Sequence, residues 1–350
     1  MGKNGSTPFK TVPVDQAVGM TLAHDMTEII PGKSKGPAFK RGHKVKASDL
    51  CRLMRMGKNN LYILDLDDTQ VHEDDAVFEL ASALSGPGVE FSADPKEGKL
   101  ELRAAYPGLF KVDVDALVEF NMIQDVMCAS IHNNTAVTAN QSLAATRAIP
   151  LVIDRHHLDR AVALARDAYP IFSVAVFNPL KIRLIIVGNE VYDGLVQDRF
   201  KDIVEQKTGD LGARVIESCI LPDDRERITN KIDEYLAKDT DLIITTGGMS
   251  VDPDDVTKEG IEAAGFEEVH YSSAVLPGAM FLLGYNSKTA IMGLPACGLY
   301  HKTTIFDLIL PRLMAGERPG KRDLASLCHG GLCLNCNPCV FPNCPFGKSA

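Results

Sequence analysis

The sequence predicts an α/β protein whose main part is a mostly parallel sheet with helices on both faces, over residues 179–318. The first observation is that short apolar, β-branched runs alternate there with helical patterns, at 182–187, 214–220, 242–246, 269–275 and 290–294. Such alternation is typical of parallel strands joined by helices. The second observation is that five of the nine cysteines lie within the last 23 residues. This clustering predicts a cysteine-rich metal knuckle at 319–350.

Two smaller units precede the predicted sheet. Residues 1–64 are predicted to be β-rich, with one short helix that Ser48 caps. Residues 65–178 mix helical and strand patterns, and a helix that begins at the acids of 73–75 runs to Leu84. The role of this mixed middle region stays open.

Composition excludes several classes of protein. The chain has 350 residues, of which 45% are hydrophobic and 24% charged, as in ordinary globular proteins. No window of about 18 apolar residues could span a membrane. The N-terminus lacks an apolar signal core, so we expect a cytoplasmic protein. The net charge of −9 and the absence of tryptophan argue against a nucleic acid as partner.

Polar residues and glycines follow four of the predicted strands. Ligands bind beyond the carboxyl ends of the strands in sheets of this type. The sequence therefore predicts a polar-ligand site at that edge, built from Gly188-Asn189-Glu190, Pro222-Asp223-Asp224, 247–255 and Leu294-Pro295-Ala296-Cys297-Gly298.

The loop after the run at 242–246 carries the densest signal. Gly247 and Gly248 let a backbone approach a ligand without an intervening Cβ atom. The polar residues that follow them are Ser250, Asp252, Asp254 and Asp255. An aspartate pair at a helix start is also what capping alone requires, so a plain strand–helix connection remains the alternative to a ligand loop.

As a set, these loops resemble the molybdopterin-binding domain of molybdenum cofactor biosynthesis, of the molybdenum-insertion or gephyrin type. The signature is the Gly247-Gly248-Met249-Ser250 loop that ends in Asp255-Val256-Thr257. The other matches are Gly188-Asn189-Glu190, Gly194 with Asp198, Asp223, Pro277-Gly278 and Gly293-Leu294-Pro295. The resemblance covers roughly residues 180–315.

The start of the chain, at 15–25 and 42–63, is also similar to the molybdenum-insertion branch. Two departures matter. Val187 stands where the family usually has Thr or Ser, and the Asp-Gly-Tyr-Ala and Thr-Gly-Ala-Pro motifs of that branch have no match. The resemblance therefore supports ligand binding by this chain more strongly than it supports catalytic turnover.

The resemblance implies molybdopterin, or its adenylylated form, as the ligand, since glycine amides suit its phosphate. It implies Asp223 and Asp255 as catalytic residues that hold Mg²⁺. The structural alternative is that both only cap helices. The implied binding residues are Gly188, Asn189, Glu190, Asp198, Gly247, Gly248, Ser250, Pro277, Gly278 and Pro295.

Two functions follow from this resemblance. One is a molybdopterin molybdenumtransferase-like enzyme, with molybdate and other cofactor-assembly proteins as partners. The other is a non-catalytic molybdopterin-binding redox sensor or carrier, and the missing motifs favour it. A homo-oligomer, and the choice between molybdenum and tungsten, stay open.

The tail predicts a metal centre held by Cys328, Cys333, Cys336, Cys339 and Cys344. Its spacing is one residue longer than the bacterial ferredoxin run, and Cys-x-x-Cys pairs also suit zinc, so an iron–sulfur cluster and Zn²⁺ are both open. Disulfides are not expected in a cytosolic chain. A linker at 316–321 predicts that the tail folds apart from the sheet.

Overall fold

A computed structural model of the chain describes residues 9–30, 34–64, 66–95, 98–149, 151–249 and 256–348. The strands are β1 Phe9–Pro13, β2 Met26–Ile30, β3 Ser34–Phe39, β4 Asn60–Leu64, β5 Gln70–His72, β6 Val89–Phe91, β7 Lys99–Ala104, β8 Gly108–Val112, β9 Val126–Ser130, β10 Thr135–Val137, β11 Ser142–Ala148, β12 Val152–Asp154, β13 Phe172–Val176, β14 Lys181–Val187, β15 Arg214–Leu221, β16 Leu242–Thr246, β17 His270–Tyr271, β18 Leu282–Asn286 and β19 Thr289–Leu294.

The helices are α1 Leu50–Arg55, α2 Glu73–Leu84, α3 Val114–Asn121, α4 Arg155–Asp167, α5 Asn189–Tyr192, α6 Phe200–Asp210, α7 Arg225–Leu236, α8 Thr257–Ala263, α9 Ile305–Met314 and α10 Lys321–Ser326. Within the described ranges, none of them is long and apolar enough to cross a membrane. The chain divides into two units: residues 1–104, 112–131 and 140–173 form the first, and residues 105–111, 132–139 and 174–350 form the second.

The first unit combines a four-stranded antiparallel sheet, in the order β6-β7-β11-β9, with three two-stranded pairings. Helices α2 and α4 pack against each other, and α2 also packs on β11. The start of α2 is capped by buried His72, whose Nδ1 accepts a hydrogen bond from the Asp74 N–H at 3.1 Å. Its Nε2 lies 2.6 Å from the Ala23 carbonyl oxygen, so this histidine joins the helix to the N-terminal segment.

The second unit is built on a six-stranded sheet, in the order β15-β14-β16-β19-β18-β17. The first four strands are parallel, and the last two are antiparallel to their neighbours. The predicted strand at 269–275 is reduced to the two residues of β17, whereas β18 was not predicted. Gly284 interrupts the apolar run of β18, which weakens its sequence signal.

Alternate residues of the central strands enter two different hydrophobic cores. Leu184 and Ile186 of β14 join one cluster, which α6, α9 and α10 cover. Ile185 and Val187 join the opposite cluster, which α7 and α8 cover. Burial on both faces explains why these strands read as continuous apolar runs. The helices on these faces connect parallel strands, so the carboxyl ends of the strands meet at one edge of the sheet.

The tail does not fold apart from the sheet, contrary to the expectation from its linker. Leu324, Leu327 and Phe346 are buried in the core cluster beneath α9. Lys348 is also buried, and its Nζ donates to Thr135 Oγ1 at 2.6 Å. A glycine- and proline-bearing stretch is typical of a linker, but the apolar residues that follow it belong to the main core. Removing the tail would therefore expose that core.

Candidate functional site

The carboxyl ends of three parallel strands meet at one edge of the six-stranded sheet. In the register of the sheet, Ile186 pairs with Thr246 and Thr246 pairs with Leu294, so the loops that follow these strands emerge side by side. A cavity of about 780 Å³ opens at this edge. Its described lining comes from the loops after β14, β15, β16 and β19, from the segment before β18, and from the tail.

Most residues that the sequence assigned to the ligand lie at this cavity. The predicted residues that line it are Gly188, Glu190, Asp223, Gly247, Gly248, Pro277, Gly278 and Pro295. Asn189 is not part of the described lining but is hydrogen-bonded to Asp223. Ser250 and Asp255 lie outside the described residues. Loops that are far apart in sequence thus converge on one cavity, as the topology of the sheet requires.

The two glycines of the loop after β16 are sterically required. Gly247 has φ +81°, and a Cβ atom there would lie 2.0 Å from the Val187 carbonyl oxygen. Gly248 has φ +58°, and its Cβ would lie 2.3 Å from Thr257 Oγ1. Both positions combine a left-handed backbone with no space for a side chain. The loop therefore presents bare backbone to the cavity.

A reciprocal pair of hydrogen bonds fixes Asp223. The Asn189 N–H donates to Asp223 Oδ2 at 2.9 Å, and the Asp223 N–H donates to Asn189 Oδ1 at 3.1 Å. These bonds join the loop after β14 to the loop after β15. They hold the Asp223 carboxylate at the cavity wall.

Two other aspartates of the second unit, Asp198 and Asp224, accept hydrogen bonds from backbone N–H groups at helix starts. Asp198 accepts from the N–H groups of Phe200 and Lys201 at the start of α6, at 2.9 and 3.1 Å. It is not among the described residues that line the cavity. Asp224 caps α7 through the Arg227 N–H at 3.0 Å. The structure thus gives Asp198 a capping role and leaves it out of the described lining of the cavity.

Two buried hydroxyls flank the signature loop. Thr246 Oγ1 and Thr257 Oγ1 have no hydrogen-bond partner within the described ranges. A buried hydroxyl without a partner costs about 1–3 kcal/mol. Thr257 lies directly behind Gly248, so the loop carries hydrogen-bonding capacity beyond its backbone amides. The sequence signature contained Thr257 but assigned it no role.

The cavity lining also includes apolar and sulfur-bearing residues, namely Leu276, Met280, Cys297, Leu332 and Cys333, together with the polar His301 and Asn335. Of these seven, the sequence placed only Cys297 in its predicted site, in the loop after β19. Burial raises the pKa of the Cys297 thiol, which keeps it protonated at neutral pH. Leu276 precedes the recognised Pro277-Gly278 pair, which was a usable signal. The tail residues carried no such signal, because only the fold brings them here.

The tail reaches this cavity through specific contacts. Leu276 and Leu332 form a parallel bridge, in which the Leu276 N–H donates to the Gly331 carbonyl and the Cys333 N–H donates to the Leu276 carbonyl, both at 2.8 Å. His301 Nδ1 is hydrogen-bonded to Asn335 Oδ1 at 3.1 Å. The segment 331–335 is therefore a wall of the cavity.

Four of the five tail cysteines surround a second, smaller cavity of about 30 Å³, namely Cys333, Cys336, Cys339 and Cys344. Cys328 is exposed and is not part of this lining. As placed, the described residues contain no group of three or more His, Cys, Asp or Glu side chains able to hold a metal ion. The Thr303 hydroxyl, 3.5 Å from the Cys339 sulfur, lowers the pKa of that thiol.

Comparison with known families gives two matches. Residues 183–315 match the family described as a probable molybdopterin binding domain. Residues 11–65 match a family described as a domain of unknown function. The first match covers nearly all of the sheet, the helices from α5 to α9 and the loops at the cavity, but not α10 or the tail.

Curated relatives match over short stretches. A CinA-like protein of Thermosipho melanesiensis is 35% identical over 78 residues, which are 22% of this chain and 19% of that protein. A molybdopterin molybdenumtransferase of Haemophilus influenzae is 26% identical over 161 residues, which are 43% of this chain and 39% of that protein. The chain thus matches about a fifth to two fifths of the length of these relatives.

Solved structures are similar over part of the chain. For the molybdopterin biosynthesis enzyme MoaB of Thermus thermophilus, the TM-score is 0.35 at 19% identity, covering 39% of this chain and 98% of that chain. For the tungsten cofactor synthesizing protein MoaB of Pyrococcus furiosus, the TM-score is 0.32 at 18% identity, covering 40% and 98%.

Proposed function

Because residues 183–315 are a domain of the molybdopterin-binding family, we propose that the chain binds molybdopterin in the cavity at the carboxyl edge of its sheet. In this proposal it acts in molybdenum cofactor biosynthesis as a molybdenumtransferase-type enzyme. Molybdopterin or adenylylated molybdopterin, and molybdate, are its substrates.

One observation carries this proposal: the lining of the cavity combines bare backbone with apolar side chains. Gly247 and Gly248 expose backbone, which suits phosphate oxygens. Leu276, Met280 and Leu332 are apolar, which suits the planar pterin ring. The volume of about 780 Å³ also lies within the range of about 300–1,000 Å³ that is usual for small-molecule sites.

We further propose that Asp223, together with Asp255, holds a magnesium ion. Mg²⁺ takes one or two protein carboxylates and completes its shell with water and substrate phosphate oxygens, so it does not need a group of three side chains. Asp223 and Glu190 both line the cavity, and their oxygen donors are of the type that Mg²⁺ prefers. When bound, the ion would neutralise charge on the phosphate. Asn189 orients Asp223 for this role.

For the tail we propose a thiolate-bound metal centre on Cys333, Cys336, Cys339 and Cys344. Zinc and an iron–sulfur cluster both remain candidates for it. Four thiols around one small cavity support the proposal, and the lowered pKa of Cys339 favours the thiolate that a metal requires. Cys328, which the sequence included among the ligands, is left out because it does not line this cavity.

A second function is favoured by the position of Cys333 at the ligand cavity. A molybdopterin-binding sensor or carrier would need no catalytic aspartate, but it would need a link between the ligand and the cysteine tail. The two functions separate in cells that lack the molybdenum-insertion enzyme. Restored molybdoenzyme activity supports the transferase, whereas molybdopterin binding without rescue supports the sensor or carrier.

A pair of matched variants tests the site itself. We expect Asp223→Asn to weaken molybdopterin binding in the presence of Mg²⁺ by about tenfold or more, which corresponds to about 1.4 kcal/mol. The control is Asp198→Asn, because Asp198 also accepts backbone N–H groups but lies outside the cavity lining. Asn keeps one of the two acceptor oxygens and caps helices about as well as Asp, so the control should bind normally.

The readout is the fluorescence of the pterin, titrated with each protein with and without Mg²⁺. Asp255→Asn should behave like Asp223→Asn and should abolish any transferase activity. Equal affinities for Asp223→Asn and Asp198→Asn would contradict the proposed role of Asp223. Failure of the wild-type chain to bind molybdopterin would overturn the proposed ligand.

A further inference from the structure

The ligand cavity and the cysteine cavity share two residues of the tail, Leu332 and Cys333. The ligand cavity takes Leu332, Cys333 and Asn335 from the tail. The smaller cavity takes Leu332 and the four thiols of Cys333, Cys336, Cys339 and Cys344. A change in the positions of the four thiols would therefore move residues in the wall of the ligand cavity.

Backbone hydrogen bonds hold the start of this wall, at residues 331–333, whereas the residues that follow form no helix or strand. Gly331 and Cys333 are bonded to both polar backbone groups of Leu276, which immediately precedes the cavity residues Pro277 and Gly278. After Leu332, residues 333–348 contain no helix or strand. Leu332 and Leu334 are 64% and 71% exposed, so apolar contacts of their own hold them only weakly. The order that this segment has comes from the residues that pack on the main core, Phe346 among them, and the exposed positions add little to it.

As placed, the thiols do not yet form a metal site, because the described residues contain no group of three or more candidate ligands close enough to hold an ion. A metal that binds all four thiols must draw them together over the small cavity. Cys333 would move with them, and Leu332 and Asn335 flank Cys333 in the ligand wall.

We propose that the cysteine-rich segment 331–344 is a metal-dependent wall of the ligand cavity. A thiolate-seeking metal centre on Cys333, Cys336, Cys339 and Cys344 fixes the segment and so raises the affinity of the cavity for its pterin ligand. This inference rests on the proposed molybdopterin site, and it adds the regulation of that site.

The coupling has a simple thermodynamic origin. Without metal, the ligand must order the wall when it binds, and that conformational entropy reduces its affinity. With metal, the wall is already ordered and the ligand binds more tightly. Linkage then requires that the ligand raise the affinity for the metal by the same factor.

The test compares the full chain in two states, stripped by a chelator or loaded. Loading uses Zn²⁺ alone in one arm, and ferrous iron with sulfide under anaerobic conditions in the other. Molybdopterin is titrated by its fluorescence. We expect loading to raise the affinity by about fivefold or more, the lower end of known couplings between sites. The arm that produces this effect identifies the metal, and a tightening in either arm supports the inference.

Two serine variants provide the matched controls. Cys336→Ser removes a thiol of the small cavity without touching the ligand cavity, so its affinity should not respond to metal. Cys328→Ser removes a tail thiol that lines neither cavity, so it should respond as the wild type does. Both variants expose the dithiolene of molybdopterin to the same free metal. A direct reaction between metal and ligand would therefore change both equally.

The reciprocal measurement is the Zn²⁺ affinity of the wild type with and without molybdopterin, which should shift by the same factor. Tight molybdopterin binding that is equal in stripped and loaded protein would overturn the inference and leave the proposed ligand intact. No molybdopterin binding in either state would overturn both. If Cys336→Ser does not fold, as judged by circular dichroism, the comparison of stripped and loaded wild-type protein still decides the matter.

Discussion

At the scale of single residues, the position of an aspartate or a glycine in the fold, and not the residue type alone, decides whether it belongs to the site. Asp223 and Asp198 both accept hydrogen bonds from backbone N–H groups, yet only Asp223 lines the cavity. The sequence assigned both to the ligand, because a capping aspartate and a ligand aspartate look alike in a sequence. The distinction comes from the Asn189 partnership, which joins two strand ends that are adjacent only in the folded sheet.

The glycine loop gives a prediction at this scale. We expect Gly247→Ala to destabilise the second unit more than Gly212→Ala does. Both glycines have positive φ, +81° and +86°, so both alanines carry the strain of a left-handed backbone, about 1–2 kcal/mol. At Gly212 nothing lies within 4 Å of the added Cβ, whereas at Gly247 it would meet a backbone carbonyl at 2.0 Å.

Urea unfolding followed by circular dichroism measures the difference between these variants. The free energy of unfolding should fall by about 1–2 kcal/mol for Gly212→Ala and by clearly more for Gly247→Ala. If the two variants lose the same amount, the loop after β16 has room to move, and its bare backbone is not a steric requirement.

At the scale of elements, the sequence predicted those whose signal is local. The acids at 73–75 and the apolar spacing predicted α2, and β14 and β16 were recognised as buried apolar runs. The run at 269–275 was overestimated, and β18 was missed. An edge strand such as β17 is set by its pairing with β18, which no local pattern records. Burial decides these elements, and burial is a property of the whole domain.

The cap of α2 makes a pH prediction at this scale. Burial, and secondly the charge of Arg41, lower the pKa of His72, so the folded protein keeps this imidazole neutral. The unfolded chain takes up the proton near its ordinary pKa of 6.5. Because the unfolded state then binds more protons, the free energy of unfolding should fall as the pH drops below about 6.5. Protonation of Nδ1 would also remove the acceptor for the Asp74 N–H.

Urea titrations between pH 7.5 and pH 5 measure this loss. In His72→Asn the pH dependence should be smaller, because Asn still accepts the Asp74 N–H but does not titrate. Some dependence should remain in the variant, since burial also lowers the pKa of His24. An identical slope in the wild type and the variant would show that His72 is not the group responsible.

At the scale of the whole second unit, the tail belongs to both the core and the site. The sequence predicted the cluster of cysteines and the edge of the sheet at which a ligand would bind. It did not predict that the cysteines lie at this edge, because their position depends on the burial of Leu324, Leu327 and Phe346. These few apolar residues hold the tail against α9 and carry Cys333 to the cavity.

A pair of alanine variants tests this arrangement. Phe346 is only 3% exposed and packs in the main core, so Phe346→Ala should lower the free energy of unfolding by about 3–5 kcal/mol. Leu334→Ala removes a similar apolar side chain from the same tail, but Leu334 is 71% exposed, and its effect should stay within about 0.5 kcal/mol. Both changes are measured by urea unfolding of the full chain, without added metal. If the tail folded apart from the sheet, neither variant would change the stability of the main core.

Phe346→Ala should also weaken molybdopterin binding, because the wall at 331–335 depends on the anchor that holds the rest of the tail in place.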